Sequence, residues 1–400
     1  MILPEKFQFV LNSGETSQIR SWSVSRLNEI GFPLSSQEEW RKFPLQKMDL
    51  GKLGFEKQGG VFAPKFVEDK TTERTNLDQE SSTHKIQEFS FGKSFDHFFN
   101  ELKESVKDHY FSLLSLCYAT EYEVIAIGHG ESLDWNELES TKDPKFLVRI
   151  FYLRKNSKAE CYHNWKSESK DSLHFLSTFQ FTYLEENVKF QLTQSQSIDG
   201  DAYFFFHQVV RVGDGSDIKY HLFPNSGFRT KQFHTLRLVG KESKSEFTGV
   251  SAFAKRELFD LDVKAIHLES YTESKISYKA IVTDNSHHLF TGNLYIPPKL
   301  KKVSAHQESF NLSLNQKARA EANPNLEVYA EDVSCTHGAT VGDINEDQYF
   351  YLLSRGLTPD ESKALLVEAF YAETIEAIFC STEIKENLKN QIRSKMIGVQ

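Results

Sequence analysis

Between about residue 121 and residue 333 the chain is a succession of short β-rich runs with hardly any helical periodicity between them. The first are Glu123–Ile127, Phe146–Leu153, Phe175–Tyr183, Val188–Thr193, Ala202–Val212 and Ile218–Phe223. Phe233–Val239, Glu246–Phe253, Val263–Leu268, Ile276–Val282 and Leu289–Ile296 follow. Polar turns such as Gly213-Asp214-Gly215 and Thr283-Asp284-Asn285 separate them. Many short strands without helices predict a mainly β unit: a sandwich, a barrel or a solenoid. Val263, Ile276 and Leu289 stand 13 residues apart, which suggests solenoid rungs, although the interval drifts elsewhere.

The flanks have a different texture. Ser17–Ile30 carries Ile19, Trp22, Leu27 and Ile30 at helical spacing, and Gly31-Phe32-Pro33 stops it. Gln37–Phe43 is a short helical candidate around Trp40, and Phe95–Leu116 reads as one longer helical run. Asp69–Lys85 is polar, with Leu77 its single large apolar residue, and is expected to be a mobile loop. Toward the other end, Leu326–Val333 alternates like a strand, and Gly338 and Gly342 are expected to break the extended chain. Asn345–Gly356 reads as a helix, and Thr358-Pro359-Asp360-Glu361 opens another with a capping box and proline in its first turn. In that second helix Leu365, Leu366, Ala369, Phe370, Ile375 and Ile378 predict an apolar stripe. Ile384, Leu388, Ile392 and Met396 predict a last helix, with Lys385, Lys389 and Arg393 beside them. These patterns divide the chain into an N-terminal helical region (1–120), a β core (121–333) and a C-terminal helical domain (334–400).

Composition narrows the chemistry. Thirty-three Phe and 15 Tyr against 3 Met predict a core filled by aromatic side chains. A net charge of −9 without a basic run argues against nucleic acid as the main partner. No signal-peptide pattern opens the chain and no apolar run reaches about 18 residues, so a soluble, cytoplasmic protein without a membrane contact is expected. No phosphate-binding G-x-x-x-x-G-K-[ST] loop and no G-x-S-x-G elbow occurs, so nucleotide binding by that loop and serine hydrolysis are not expected. Cys117, Cys161, Cys335 and Cys380 lie far apart with no C-x-x-C pair. Cys117 and Cys380 read as packing residues, His163, His221 and His234 as structural, and His287-His288 as part of a turn between strands.

One pair stands out. If the backbone stays extended to His337, Cys335 and His337 project from one face, roughly 7 Å apart, beside glycines that leave room for a partner. Thiolate and neutral imidazole both ligate iron, yet two ligands cannot hold a cluster that takes four. The segment Glu331-Asp332-Val333-Ser334-Cys335-Thr336-His337-Gly338-Ala339-Thr340-Val341-Gly342 resembles the C-terminal signature of the SufB/SufD family, in its SufD form. Asp347–Gly356, Glu368–Glu373 and the late runs Ala265–Lys279 and Phe290–Tyr295 are similar to the same family. The chain departs from the family pattern at Leu300–Gln307, at Phe310–Asn315 and at Glu331-Asp332.

The resemblance implies a right-handed parallel β-helix core flanked by helical regions, in a non-enzymatic scaffold subunit of the SUF iron–sulfur cluster assembly system. It implies pairing with SufB through the β-helix, docking of the SufC ATPase on the C-terminal helices, and sulfur supplied by a cysteine desulfurase through SufB. It matches His337, with Cys335 beside it, to half of a cluster assembly site shared with SufB; the cluster would be transient, and no nucleotide would bind this chain. Glu361, Leu365, Glu368, Phe370, Tyr371 and Glu373 are the expected docking residues. A homodimer in isolation stays possible. Two other readings stay open: a β-helix enzyme acting on carbohydrate through paired carboxylates, and a structural scaffold without a cluster ligand.

Overall fold

The computed structural model describes residues 8–50, 52–53, 55–58, 61–64, 87–141, 145–167, 174–198, 201–224, 227–378 and 380–396. The expected polar loop near 69–85 lies outside them. The central strands are β1 (Tyr122–Ile127), β2 (Ser132–Thr141), β3 (Lys145–Leu153), β4 (Lys158–Ser167), β5 (His174–Leu184), β6 (Lys189–Ser197), β7 (Ala202–Val212) and β8 (Asp217–Pro224). They continue as β9 (Arg229–Leu238), β10 (Lys244–Phe253), β11 (Leu258–His267), β12 (Glu273–Val282), β13 (His287–Ile296), β14 (Lys301–Ser313), β15 (Arg319–Val328) and β16 (Asp332–Asp343). Odd-numbered strands stack in parallel in one sheet and even-numbered strands in a second. The chain therefore climbs as a parallel β-solenoid of about 7 turns.

Register partners give the length of a turn. Arg229, Leu258 and His287 lie side by side on β9, β11 and β13, in steps of 29 residues (229 to 258 to 287). Val263, Ile276 and Leu289 sit on β11, β12 and β13, so their 13-residue interval is a half-turn from one sheet to the other. On one edge the turns form a ladder of their own. The N–H groups of Asn187, Gly215 and Tyr271 donate to the carbonyls of Asp214, Lys241 and Lys301 at 2.8, 2.8 and 2.9 Å. All three residues are left-handed, with φ of 57, 60 and 63°. Asn and Gly accept that conformation readily; for Tyr271 it is strained, and the stacked turns hold it there.

Three apolar layers follow from the side-chain alternation. The lumen is filled by both sheets, with aromatic stacks such as Tyr220–Phe247 (centroids 5.4 Å) and Tyr278–Phe290 (6.0 Å). The outer face of the odd sheet is covered by α1 (Ser13–Ile30), α2 (Phe95–Val106) and α3 (Tyr110–Tyr118), where Phe111 stacks on Phe205 at 3.7 Å and Trp40 packs on Phe205 and Phe233. The outer face of the even sheet presents Phe223, Val250, Ala252 and Ile281 to C-terminal helices. These helices are α5 (Pro359–Glu376) and α6 (Thr382–Met396), with α4 (Glu346–Ser354) packed beside α5. Strands buried on both faces read as nearly continuous apolar runs, which is why Ala202–Val212 was legible.

Several expectations need correction. The run Phe95–Leu116 is two helices, because the chain turns at Lys107–His109 and lays α3 across β3, β5 and β7. Leu326–Val333 is not one strand; the chain turns at Tyr329–Glu331, between β15 and β16. Gly338 and Gly342 do not end the extended chain, since β16 runs for 12 residues through both. Its ladder with β14 outweighs the small local cost of two glycines. The buried stripe of α5 is Val367, Tyr371 and Ile375, continued by Ile378, and Leu365 is 47% exposed. The expected stripe holds at Ile375 and Ile378 but not at Leu365, because the contact line is set jointly by the even sheet and α6.

Candidate metal centre at the end of the solenoid

The even sheet ends at β16 and the odd sheet at β15, and neither has a strand partner beyond it among the described residues. Parallel pairing sets Cys335 beside Ala305 and His337 beside Gln307. Ala305 and Gln307 are fully buried and belong to the lumen side of β14, so Cys335 and His337 share that side on the last rung. The extended backbone that a paired thiol and imidazole require is therefore present.

The two side chains differ in environment. Cys335 is half-buried against the lumen cluster, and that burial pushes its thiol above the ordinary value. His337 is exposed. A Cβ added at Gly338 or Gly342 would meet nothing within 4 Å, so the surface beside the pair is open. Among the described residues no group of three or more His, Cys, Asp or Glu is arranged to hold a metal ion. The last rung thus offers one soft and one borderline donor, and a cluster there needs further ligands from another chain. Metal binding at Cys335 must also displace a proton that burial retains.

The surroundings are unusually apolar for an exposed surface. Leu326 and Tyr329 at the end of β15 are 37% and 60% exposed, and Val341 on β16 is 54% exposed. On α4, which has no buried residue, Phe350 and Tyr351 are 72% and 57% exposed. Open strand edges beside apolar side chains are the features that invite pairing with another chain.

The expected docking residues on α5 fall into distinct environments. Glu361 closes the capping box, its carboxylate accepting from the Thr358 N–H at 2.8 Å. Leu365 and Glu373 face outward, and Glu368 pairs with Arg393 at 2.8 Å. Phe370 is half-buried, its carbonyl accepting from Lys279 Nζ at 3.0 Å. Tyr371 departs from the expectation. It is 1% exposed and packs inward on the even sheet, so it holds the helix to the solenoid.

The remaining candidates are structural. His163, His221 and His234 are buried. His288 points into the lumen, whereas His287 pairs outward with Glu321 at 2.9 Å; neighbours on a strand face opposite ways, so they cannot share a metal. Burial drives the Cys117 thiol up to about 12. No helix among the described residues is long and apolar enough to cross a membrane. Pattern reading overlooked the buried Lys231–Asp260–Asp262 group on the odd sheet, where alternating charges on a strand suggest a solvated face.

The comparisons bear on the family of the chain. Residues 141–370 match the SufBD core domain of SUF system FeS cluster assembly. An iron–sulfur cluster assembly SufBD family protein of Synechocystis is 28% identical over 242 residues, 59% of this chain and 53% of that protein. SufD of Escherichia coli is 28% identical over 195 residues, 49% of this chain and 45% of that protein. SufD of Bacillus subtilis is 29% identical over 145 residues, 36% of this chain and 33% of that protein. The matches span about half the length, or less, of these curated relatives. With more than half of its length in the matched domain, a parallel solenoid core and the Cys335-x-His337 segment on the last rung, the chain belongs to the SufBD family of SUF-system iron–sulfur cluster assembly proteins.

Proposed function

We propose that this protein is a SufD-like, non-enzymatic subunit of a cytoplasmic SUF assembly complex. Its last solenoid rung supplies half of the site at which a cluster is built. The cluster is cargo: Cys335 and His337 contribute two donors, and a SufB-type partner pairing along the open edges of β15 and β16 contributes the others. The C-terminal helices dock a SufC-type ATPase through the outward side chains of α5. In the absence of SufB the same edges serve a homodimer. We also infer that residues 1–120, 121–333 and 334–400 divide the labour among covering the odd sheet, presenting the rung and docking the ATPase.

The observation that supports this reading best is the shared side of Cys335 and His337 on an unpaired terminal strand of a SufBD-family chain. The carbohydrate-enzyme reading gains no support from the close acidic pair on β11. Asp260 and Asp262 are tied to Lys231 and covered by the N-terminal region, where a glycan cannot reach them.

The test is co-expression with SufB and SufC, followed by anaerobic reconstitution of the purified complex with iron and a sulfide donor. The visible absorption of a cluster should appear with the native chain and be lost with His337→Ala in an intact complex. Normal cluster yield from that variant would favour a purely structural scaffold.

A further inference from the structure

The edge of the solenoid opposite the Asn187–Tyr271 ladder carries a groove that the assembly function does not use. It forms where the turns after β10, β12 and β14 stack on one another. A hollow of about 470 Å³ is lined by Arg229, Arg256, Lys317 and Arg319 among others. An adjoining hollow of about 570 Å³ shares Arg256, Asn285 and Lys317 and adds Lys255. Stacked parallel rungs are about 4.8 Å apart, so Arg256 and Lys317, two turns apart, come within about 10 Å of each other. In a chain of net charge −9, this is a local concentration of positive charge.

The acids beside Arg256, Lys317 and Arg319 are already engaged. Glu257 accepts from the Ala254 N–H at 2.9 Å and from Lys395. Asp284 accepts from the Lys255 N–H at 2.8 Å, and Glu321 serves His287 and Lys42. Arg256, Lys317 and Arg319 have no ion pair among the described residues. Arg229 forms no ion pair among the described residues, with Asp201 acting on it only at longer range; its guanidinium donates to the carbonyls of Phe228 at 3.0 Å and Arg256 at 2.7 Å over the Phe228 ring. An arginine fixed in this way presents its remaining N–H groups to the groove, in the fork that suits phosphate oxygens.

We infer that this turn groove binds a small, multiply charged phosphate ligand, with a diphosphate as the recognised group. The concave shape and a volume in the range of small-ligand sites favour a small molecule over a flat protein surface. Free diphosphate and a diphosphate carried by a nucleotide share the required chemistry. The inference uses neither Cys335 nor His337, although Arg319 opens β15, the last strand of the odd sheet.

Calorimetric titration of the full chain with inorganic pyrophosphate, at about 150 mM salt, tests it. Saturable binding is expected, weakened about tenfold or more in Arg256→Gln/Lys317→Gln. A control, Lys241→Gln/Lys302→Gln, removes the same charge from the opposite turn edge and should leave affinity within about twofold. Circular dichroism checks that both variants fold, which exposed turn residues permit. A parallel titration with a nucleoside diphosphate identifies the source, tighter binding pointing to a nucleotide and equal binding to the free anion; either supports the groove. No saturable binding of pyrophosphate below about 1 mM, or equal losses in the two double variants, overturns it.

Discussion

Lys231 and Asp260 are register partners on β9 and β11, and their side chains meet at 2.9 Å while 2% and 5% exposed. Asp262, two residues on, also reaches Lys231, and the ammonium lies over the rings of Phe233 and Trp40 at 4.7 and 5.8 Å. The group sits where the N-terminal region closes over the odd sheet. Burial lowers the Lys231 pKa, but Asp260 and Asp262 outweigh it and the net shift is upward. Burial, with Asp262 adding to it, raises the Asp260 carboxyl above the usual range in spite of Lys231.

Removing the ammonium leaves two buried carboxylates without a counter-charge. Lys231→Met is expected to destabilise the fold by about 3–5 kcal/mol, measured by urea denaturation at neutral pH. Adding Asp260→Asn to that variant should restore part of the loss. A Lys231→Met protein as stable as the parent would show that the contact is not maintained in solution.

Acid should weaken the protein before the carboxylates titrate. Burial depresses His109, His221 and His267 to about 4 and His234 and His288 to about 3. An unfolded chain protonates these imidazoles from about pH 6.5 downward, while the folded chain resists until about pH 4–3. Stability is therefore expected to fall progressively as pH drops through that window, each unit of depression being worth about 1.4 kcal/mol. Asp260 acts in the opposite sense: its raised folded pKa gives stability at low pH that is lost as pH rises toward neutral. Burial also raises Glu39, Asp217 and Glu257 in that sense, while His207 and His287 join the depressed imidazoles; the imidazoles, with the deeper burial, set the sign. Thermal midpoints between pH 8 and pH 4 check the sign, and a flat profile would contradict it.

Cys335 and His337 should separate folding from cluster chemistry. His337→Ala is expected to change stability by no more than about 0.5 kcal/mol, since the side chain is exposed beside open glycines. Cys335→Ala should cost about 1 kcal/mol, because that thiol also packs on the lumen cluster. In the reconstituted complex His337→Ala should abolish cluster absorption, with Cys335→Ala giving a smaller or mixed effect.

The α5 surface can be tested without cutting the chain. Deleting the C-terminal helices would uncover Phe223, Val250, Ala252 and Ile281, so point substitutions are cleaner. Leu365→Ser should leave the melting curve nearly unchanged yet weaken capture of a SufC-type ATPase. Tyr371→Ala should instead lower stability by about 3–5 kcal/mol, since it empties a buried position against the even sheet. Undiminished ATPase binding by Leu365→Ser would remove that residue from the docking face.

The amino-acid sequence by itself determined the class of structure and the elements that rest on local chemistry. Runs buried on both faces, such as Ala202–Val212, announce themselves because tertiary context demands apolar residues at every position. Caps are equally local, so the Thr358–Glu361 capping box, the Gly31 end of α1 and the start of α4 were readable from a few residues, although the Asn12 cap places the start of α1 four residues before the expected Ser17. The Cys335–His337 pair was legible as a shared face because strand alternation is a local rule.

Only the tertiary structure decided the rest. The polar strands Ser132–Thr141, Lys158–Ser167 and Arg319–Val328 exist because neighbouring rungs offer a complete ladder of backbone partners, a long-range effect without a local signature. The same ladder carries β16 through Gly338 and Gly342. That 13 residues make half a turn depends on a second sheet closing the lumen, and the stripe of α5 depends on the sheet and the helix it meets. Lys231 and Asp260 stand 29 positions apart (231 to 260), and the turn groove gathers charges from residue 229 to residue 319. Parallel stacking brings such residues within a few ångströms, and no local pattern encodes a contact made by the repeat of the turn.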